Sequence, residues 1–385
     1  MKTLASYYFL FYLAVSCFYP YISLYFSERG LSNTEIGLIM SIWAFVSLIS
    51  QPLMGIVNDR MRDPRVVLMV SVLAAPLLSL GFYYLDSFTA MLALSVIFAW
   101  FHTSAAPLSD AIAVDIGSRK GYPFGNIRLW GALSYSLGAF FTGFLFEKHG
   151  YENLFFYFVA VSMLVFLCLF QFPKTKASVP RITVFEQARE VIRNRRFMIF
   201  SGISLLVVMS MAGNSTFLPI YFVEMGFDKT WVGTAAAIAA MVEVPMFWFA
   251  AKLSGKIGNY AVLCIGAAAY AIRCLLLFSF HHVFLTLALQ LLDGLAYAFV
   301  TAVAVEIVER FASNGTKATF QLVYAAITGS LGGIIGNAAG GALVDWMGTP
   351  FLYLILFVLC AAAAILYAAT GNMRYKAARM TKISS

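Results

Sequence analysis

Charged residues are scarce in this chain. Only 11% of its 385 residues are Asp, Glu, Lys or Arg, whereas a soluble domain carries about 25%. Hydrophobic residues make up 61% of the sequence, and the mean hydropathy is +0.83. This combination excludes a soluble globular fold and indicates a protein that lies in a membrane.

Cysteine is also sparse and shows no pattern. Because the cysteines lie singly inside apolar segments, they indicate neither a disulfide framework nor a metal site. The sequence has no GxxxxGK(S/T) motif of the kind that binds ATP. We therefore expect no cofactor, no metal and no enzymatic activity, and an energy source other than ATP. The five cysteines are Cys17, Cys168, Cys264, Cys274 and Cys360.

Long apolar runs recur along the chain, each about 20 residues long, which is the length that spans a bilayer. We predict an all-α integral membrane protein with twelve transmembrane helices in two six-helix bundles, at 1–172 and 197–370. A central loop at 173–196 joins them, and a tail follows at 371–385. The runs lie at roughly 4–26, 34–57, 66–84, 88–113, 124–146, 153–172, 197–222, 230–251, 260–280, 284–306, 319–344 and 350–370.

The net charge of +8 is spread over particular loops and does not form a nucleic-acid-binding patch. Lys and Arg concentrate after the second and fourth helices, in the central loop and in the tail, which share one face of the membrane. By the positive-inside rule, that face is cytoplasmic. We predict a multi-pass protein of the cell (plasma or inner) membrane, in contact with the lipid bilayer, with both termini cytoplasmic. The central loop is expected to form an amphipathic helix with Val184, Ala188 and Ile192 on one side.

The two halves share a sequence repeat. YFSERGLSNTEIG at Tyr25–Gly37 and YFVEMGFDKTWVG at Tyr221–Gly233 match at Tyr, Phe, Glu, Gly, Thr and Gly, with a constant offset of 196. Related six-helix halves are an architecture of secondary transporters, which hold the substrate near the midplane between the halves.

One polar hairpin interrupts the apolar helices of the first half. The stretch DAIAVDIGSRKGYPFGNIRLWG places Asp110 before a turn at 117–123 and Arg128 after it. An antiparallel hairpin brings both side chains to a similar depth, where a charge normally faces the bundle interior and has a partner. We predict that the two residues pair and contact a substrate. A purely structural salt bridge is the alternative.

Two motifs carry a family resemblance. GIVNDRMRDPR resembles the signature that the major facilitator superfamily has between its second and third helices, with Asp59 and Arg60 at its core. PFGNIRLWG at 123–131 resembles the R-x-x-G turn of lactose permease, the nucleoside–proton symporters and the phenylpropionate permease group. The resemblance implies a secondary active transporter that works by alternating access. It further implies symport of a proton with a small organic solute (an aromatic carboxylate, a sugar or a nucleoside) by a monomer.

The resemblance also assigns residues. Asp110 and Arg128 match substrate-binding positions, and Tyr135, two turns after Arg128, lies on the same helix face. In the second half, Glu243, Arg273 and Asp293 resemble the charges that couple the proton. A packing network is the alternative for these three.

Further candidates have weaker signals. His102 lies about two turns before Asp110 on the same side, and Tyr12 and Tyr19 belong to an aromatic run that is expected to line the cavity in part. The resemblance also implies a cytoplasmic gate at Asp59, Arg60 and Arg62. Asp115 and Glu306, at the cytoplasmic ends of their helices, are expected to pair with such arginines. Two other functions remain open, a proton-coupled exporter of drugs or metabolites and a non-transporting polytopic enzyme or receptor.

Overall fold

Twelve helices of the described residues are long and apolar enough to cross a membrane. The computed structural model describes residues 2–63, 65–122, 124–172, 191–312 and 316–383. The predicted all-α fold with twelve spans is confirmed. In chain order, the helices are α1 (Lys2–Glu28), α2 (Asn33–Arg60), α3 (Arg65–Tyr84), α4 (Phe88–Arg119), α5 (Phe124–His149), α6 (Tyr151–Leu169), α7 (Arg195–Glu224), α8 (Thr230–Ile257), α9 (Asn259–Ser279), α10 (Val283–Phe311), α11 (Lys317–Met347) and α12 (Thr349–Gly371).

Local sequence determines several helix boundaries. α1 is interrupted between Phe18 and Ile22, because Pro20 has no N–H to donate to a helical turn. α2 begins with a capping box, in which Ser32 accepts from the N–H of Glu35 and the Glu35 carboxylate accepts from the N–H of Ser32. After α4, Gly121 adopts a φ of +71°, a conformation that favours glycine and ends the helix.

The helices form two bundles, α1–α6 and α7–α12, that meet mainly through the pairs α2–α11 and α5–α8. The repeat at offset 196 is visible in atomic detail. The Tyr25 hydroxyl of α1 donates to the carbonyl of Phe82 in α3 over 3.1 Å. Its repeat partner Tyr221 in α7 donates to the carbonyl of Leu277 in α9, also over 3.1 Å. The first and third helices of each bundle are therefore tied in the same way.

The bundles are in close contact on one side of the membrane. Because the number of spans is even, both ends of the chain lie on one face, here called the terminal face, and the other is the distal face. Ser41 donates to the carbonyl of Ile334, and Ser136 donates to that of Ala237, each over 2.9 Å. Gly37 lies directly against the carbonyl of Asn337, an approach that only a small residue permits. These contacts lie between the middle of the helices and their distal ends.

Toward the terminal face, the same helices separate. Gln51 and Leu53 of α2 and Leu129 of α5 are exposed, and nothing lies near the Cα of Gly55 or Gly125 on the side where a side chain would project. The cleft between the bundles is therefore open to the terminal face and closed to the distal face.

Three details differ from the predictions or fall outside the described residues. α4 continues through Gly117 to Arg119, so the predicted turn at 117–123 is shorter than expected. The predicted amphipathic helix of the central loop involves Val184 and Ala188, which lie outside the described residues. The last part of that loop, 191–193, is helical, and Ile192 is exposed. The α12 backbone continues as a helix to Ile383, and so includes most of the predicted tail.

Candidate functional site

The hairpin of α4 and α5 brings Asp110 and Arg128 into contact. Nη1 of Arg128 lies 3.1 Å from Oδ2 of Asp110 and 3.2 Å from Oδ1. The Arg128 side chain is 46% exposed and the Asp110 side chain is 36% exposed, although both belong to membrane-spanning helices. The pair therefore lies on the wall of the open cleft, where a solute can reach it.

α1 holds this pair from the other side. The hydroxyl of Tyr8 donates to Oδ1 of Asp110 over 2.6 Å, and the guanidinium of Arg128 lies over the ring of Tyr12, 5.0 Å from its centroid. Such a cation–π contact strengthens where water is excluded. Tyr12 was predicted, but Tyr8 was missed. The available signal was its position one turn before Tyr12 in the same aromatic run.

The charges of the second half form a buried cluster around Arg273, which has no exposed surface. Its Nε lies 3.4 Å from Oδ1 of Asp293. Nη1 donates to Asn214 and Nη2 donates to Gln290, each over 3.1 Å. Tyr353 donates to the same Asn214 oxygen over 3.2 Å. Asn214 and Gln290 were not predicted, because a neutral amide in an apolar helix is a weaker sequence signal than a charged residue. Arg273 is enclosed by protein and is inaccessible to a solute.

Glu243 lies between the two charged groups. It interacts electrostatically with Asp293 of α10 and with Arg128 of α5. It forms no hydrogen bond or ion pair with another described residue, which distinguishes it from Asp110 and Asp293. Tyr297, which was not predicted, interacts with both Glu243 and Arg128. Tyr135 interacts with Glu243 and Tyr19, so this tyrosine faces the carboxylate that the second half contributes.

The charged groups lie at successive depths between the terminal face and the distal face. Asp110 and Arg128 lie nearest the terminal face, since Arg128 is only four residues into α5, or about 6 Å. Arg273 is six residues from the distal end of α9, or about 9 Å. Glu243 is 13 residues into α8 from its distal end, about 20 Å, and links the two groups electrostatically. The charged groups therefore lie at three different depths, with Glu243 at the intermediate one.

A cavity of about 440 Å³ adjoins the charged groups, within the size range of small-molecule sites. Three of the predicted residues, Tyr12, Tyr19 and His102, line it. Asp110 and Arg128 are not among its lining residues, and Tyr12 connects the two regions because it lies beneath Arg128.

The predicted gate residues lie at the terminal ends of their helices and are mostly exposed. Asp115 pairs with Arg119 over 3.0 Å, and Glu306 pairs with Arg310 over 2.6 Å, in each case within one helix. Asp59, Arg60 and Arg62 are exposed. Within the described part of the chain, none of these five residues forms a hydrogen bond or ion pair with the opposite bundle, as expected where the cleft is open. Asp115 and Glu306 have partners in their own helices and not the expected Arg60 or Arg62.

One ion pair near this gate was not predicted. Arg65 donates to both carboxylate oxygens of Asp63 and, over 2.5 Å, to the carbonyl of Phe172. This contact fastens the loop between α2 and α3 to the end of α6. It stabilises the shape of the first bundle at the terminal face.

Comparisons with known proteins identify similar membrane transporters. The maltose permease of Geobacillus stearothermophilus is 24% identical over 361 residues, which are 94% of this chain and 91% of that protein. A probable 3-phenylpropionic acid transporter of Escherichia coli (strain K12) is 25% identical over 71% of this chain and 72% of its own. The crystal structure of the nucleoside transporter NupG superposes with a TM-score of 0.83 at 17% identity, covering 97% of this chain and 98% of that one.

The family itself is assigned over most of the chain. The model of the MFS_1 like family matches residues 1–355. The relatives named above are a permease and a transporter, which argues against the alternative of a non-transporting polytopic enzyme or receptor. This chain belongs to the MFS_1 like family and is a multi-pass membrane transporter of the major facilitator superfamily.

Proposed function

We propose that this protein is a proton-coupled symporter that imports a small organic solute across the cell membrane by alternating access. The solute is an aromatic carboxylate, a sugar or a nucleoside, the classes named for the similar permeases. The terminal face is the cytoplasmic face, because the basic loops lie there. The conformation described above is then the inward-open state, from which solute is released.

The observation that carries the proposal is the position of Glu243. Its carboxylate has no hydrogen-bond donor or counter-ion in contact among the described residues, yet it interacts with Arg128 and Asp293. A carboxyl group that no fixed partner holds in its ionised form can exchange a proton with the cleft. Solute bound at Arg128 alters the field at Glu243, and a change at Glu243 alters the field at Asp293. Proton and solute binding are thereby coupled.

The remaining residues have defined parts in this cycle. Asp110, Arg128 and Tyr12 contact the solute, together with Tyr135, Tyr19 and His102. Arg273 and Asp293 take part in proton coupling from the distal side.

The five charged residues of the terminal face close the cytoplasmic gate when the bundles rock to the outward-open state. One chain contains the entire path between its two bundles, so the functional unit is the monomer.

Uptake into cells tests this function. Radiolabelled maltose, uridine and 3-phenylpropionate are supplied to cells that express the protein, with and without a protonophore. We expect one class to accumulate, and accumulation to stop when the proton gradient is removed. Glu243→Gln is expected to abolish accumulation while exchange of labelled for unlabelled solute continues, because exchange requires no net proton movement.

The control is Glu309→Gln, which changes a carboxylate that is half exposed at the end of α10 and pairs with Lys317. It should accumulate solute as the wild type does. Accumulation that survives both the protonophore and Glu243→Gln contradicts proton coupling. Lower solute content in expressing cells than in empty cells indicates export and contradicts the proposed direction.

A further inference from the structure

One wall of the cavity is aromatic and lies apart from the charged residues. It consists of Trp43 of α2, His102 of α4 and Phe158 of α6, here called the ring pocket. The His102 ring lies 5.7 Å from the Trp43 ring and 6.1 Å from the Phe158 ring, centroid to centroid. Behind it, Phe98 stacks on the imidazole at 4.8 Å with an interplanar angle of 19°. The imidazole is thus fixed by packing, with one side toward the cavity.

Two polar groups of this wall lack partners. The ring nitrogens of His102 form no hydrogen bond with any described residue, although the side chain is partly buried. Trp43 is only 4% exposed, and its indole N–H has no acceptor within the described structure. Buried polar groups are almost always hydrogen-bonded, and an unpaired one is costly. Two unpaired groups on adjacent side chains of one wall indicate a ligand that supplies the missing partners.

The cavity selects against charge. None of the described residues that line it is Asp, Glu, Lys or Arg, and its polar side chains apart from His102 and Trp43 are hydroxyls and amides. Transfer of a charged group into such a site carries a large desolvation cost, whereas a ring gains from burial against aromatic walls. Ser162, Thr103 and Asn337 can still exchange hydrogen bonds with neutral polar atoms.

The charged residues within reach of a solute also leave no spare positive charge. Arg128 is paired with Asp110, and Arg273 is completely buried with its own partners. A carboxylate would therefore compete with Asp110 for Arg128. Hydroxyl groups can accept from Arg128 and donate to Asp110 or Glu243 without disturbing the pair.

We propose that the ring pocket binds an uncharged ring of the transported solute while hydroxyl groups at its other end contact Arg128 and Asp110. This inference rests on the proposed transport function and specifies its substrate as an uncharged, elongated molecule with a ring at one end. His102 and Asp110 are eight residues apart on α4, or about 12 Å. A solute that reaches both has the length of a nucleoside or a phenyl glycoside, and a single sugar ring is too short.

Matched ligands test the ring pocket by isothermal titration of the purified full chain. The pairs are phenyl-β-glucoside with methyl-β-glucoside, uridine with methyl riboside, and 3-phenylpropanol with 3-phenylpropionate. We expect one ring-bearing glycoside or nucleoside to bind at least about tenfold more tightly than its partner without the ring. In the last pair, the alcohol should bind more tightly than the carboxylate.

Substitutions in the ring pocket test whether its side chains provide the affinity for the ring. His102→Leu removes the polar ring nitrogens, and Trp43→Phe removes the N–H while the aromatic wall stays. Each should weaken binding of the ring-bearing ligand about tenfold and leave the partner without the ring unchanged. His102→Gln, which keeps a hydrogen-bonding group, should restore part of the affinity. The matched control is His282→Leu, an exposed histidine between α9 and α10.

The outcomes separate this inference from the proposed function. Equal affinity for both members of every pair, or ring-ligand binding that is insensitive to both His102→Leu and Trp43→Phe, overturns the ring pocket. If that ligand is still accumulated by cells in a proton-dependent way, the proposed function stands. Tighter binding of 3-phenylpropionate than of 3-phenylpropanol overturns the uncharged substrate. If no compound binds and none is accumulated, both proposals are wrong.

Discussion

Asp345, at the end of α11, caps the first turn of α2 in the opposite bundle through Thr34. One carboxylate oxygen accepts from the N–H of Thr34 over 2.7 Å and from its hydroxyl over 2.6 Å. The other oxygen accepts from the N–H and the side-chain amide of Asn33, both over 2.9 Å. The first N–H groups of a helix have no partner within it, and a negative charge is favoured there. The contact joins the two bundles at the distal face and so favours the state in which that face is closed.

Asp345→Asn is therefore expected to favour the distal-open state. The substitution removes the charge and one acceptor oxygen, which costs about 1 kcal/mol, or roughly fivefold in the equilibrium between the two states. Spin labels at Tyr84→Cys and Phe284→Cys, both exposed at the distal ends of different bundles, would report the distance across the distal face. The long-distance population should increase.

Asp86→Asn is the matched control for this change. Asp86 is a carboxylate of the same face, but it pairs with Arg29 inside the first bundle. Its loss should leave the distance distribution unchanged. An equal response to both substitutions would show that general charge at the distal face, and not the cap, holds the bundles together.

Gly37 provides a second, steric test of distal closure. A Cβ at this position would overlap the carbonyl of Asn337 in α11, and backbone cannot move aside as a flexible side chain can. We expect Gly37→Ala to increase the distal-open population severalfold, measured with the same pair of spin labels.

Gly55→Ala, in the same helix, meets open space and provides the control. Alanine favours helix over glycine by about 1 kcal/mol, so both substitutions share this intrinsic gain. Only Gly37→Ala should separate the bundles. An unchanged distance distribution in Gly37→Ala would mean that α2 and α11 can shift without opening the distal face.

The sequence revealed the spans and the charged groups because both stand out against an apolar background. A charge such as Asp110 inside a membrane helix demands a partner, and the short hairpin to α5 made Arg128 the natural one. The neutral partners could not be found in this way. Asn214, Gln290 and Tyr8 are unremarkable along the chain, and their roles depend on how each helix is rotated within its bundle.

The face to which the cleft opens could also not be predicted from the sequence. Alternating access requires one sequence to be compatible with two arrangements of the bundles, so composition and periodicity are the same in both. Close contacts such as that of Gly37 with Asn337 identify the state that is occupied. The length of α4 was underestimated for another reason, since Gly117 within a helix gave the same signal as a glycine that ends one.

Arg273 is expected to stabilise the second bundle strongly. Arg273→Met removes the partner of Asp293, Asn214 and Gln290 at a site without solvent contact, and breaking a buried pair in this way costs about 3–5 kcal/mol. Chemical unfolding in detergent should show the loss. Adding Asp293→Asn should recover part of it, because no unpaired charge then remains.

The surface pair of Arg310 and Glu306 gives the comparison for that measurement. Arg310 is 62% exposed, and exposed pairs contribute about 0–1 kcal/mol. Arg310→Met should therefore leave unfolding nearly unchanged. If Arg273→Met is as mild as Arg310→Met, the cluster tolerates loss of its central charge and is not a structural requirement of the fold.

Two adjacent tyrosines of α1, Tyr7 and Tyr8, are expected to have different roles, the first in packing and the second in solute binding. Both are fully buried, and each has a hydroxyl bonded to α4 over 2.6 Å, Tyr7 to Ser109 and Tyr8 to Asp110. A hydrogen bond to a charged group contributes about 1.5–3 kcal/mol, against about 1 kcal/mol for a neutral pair.

Tyr8→Phe should lower the affinity for the transported solute about tenfold, because Asp110 loses the donor that orients it toward Arg128. Tyr7→Phe should change affinity less than about twofold and affect only unfolding. Titration of both variants with the solute that the uptake assay identifies measures the difference, and equal affinities would show that Asp110 is positioned by Arg128 alone.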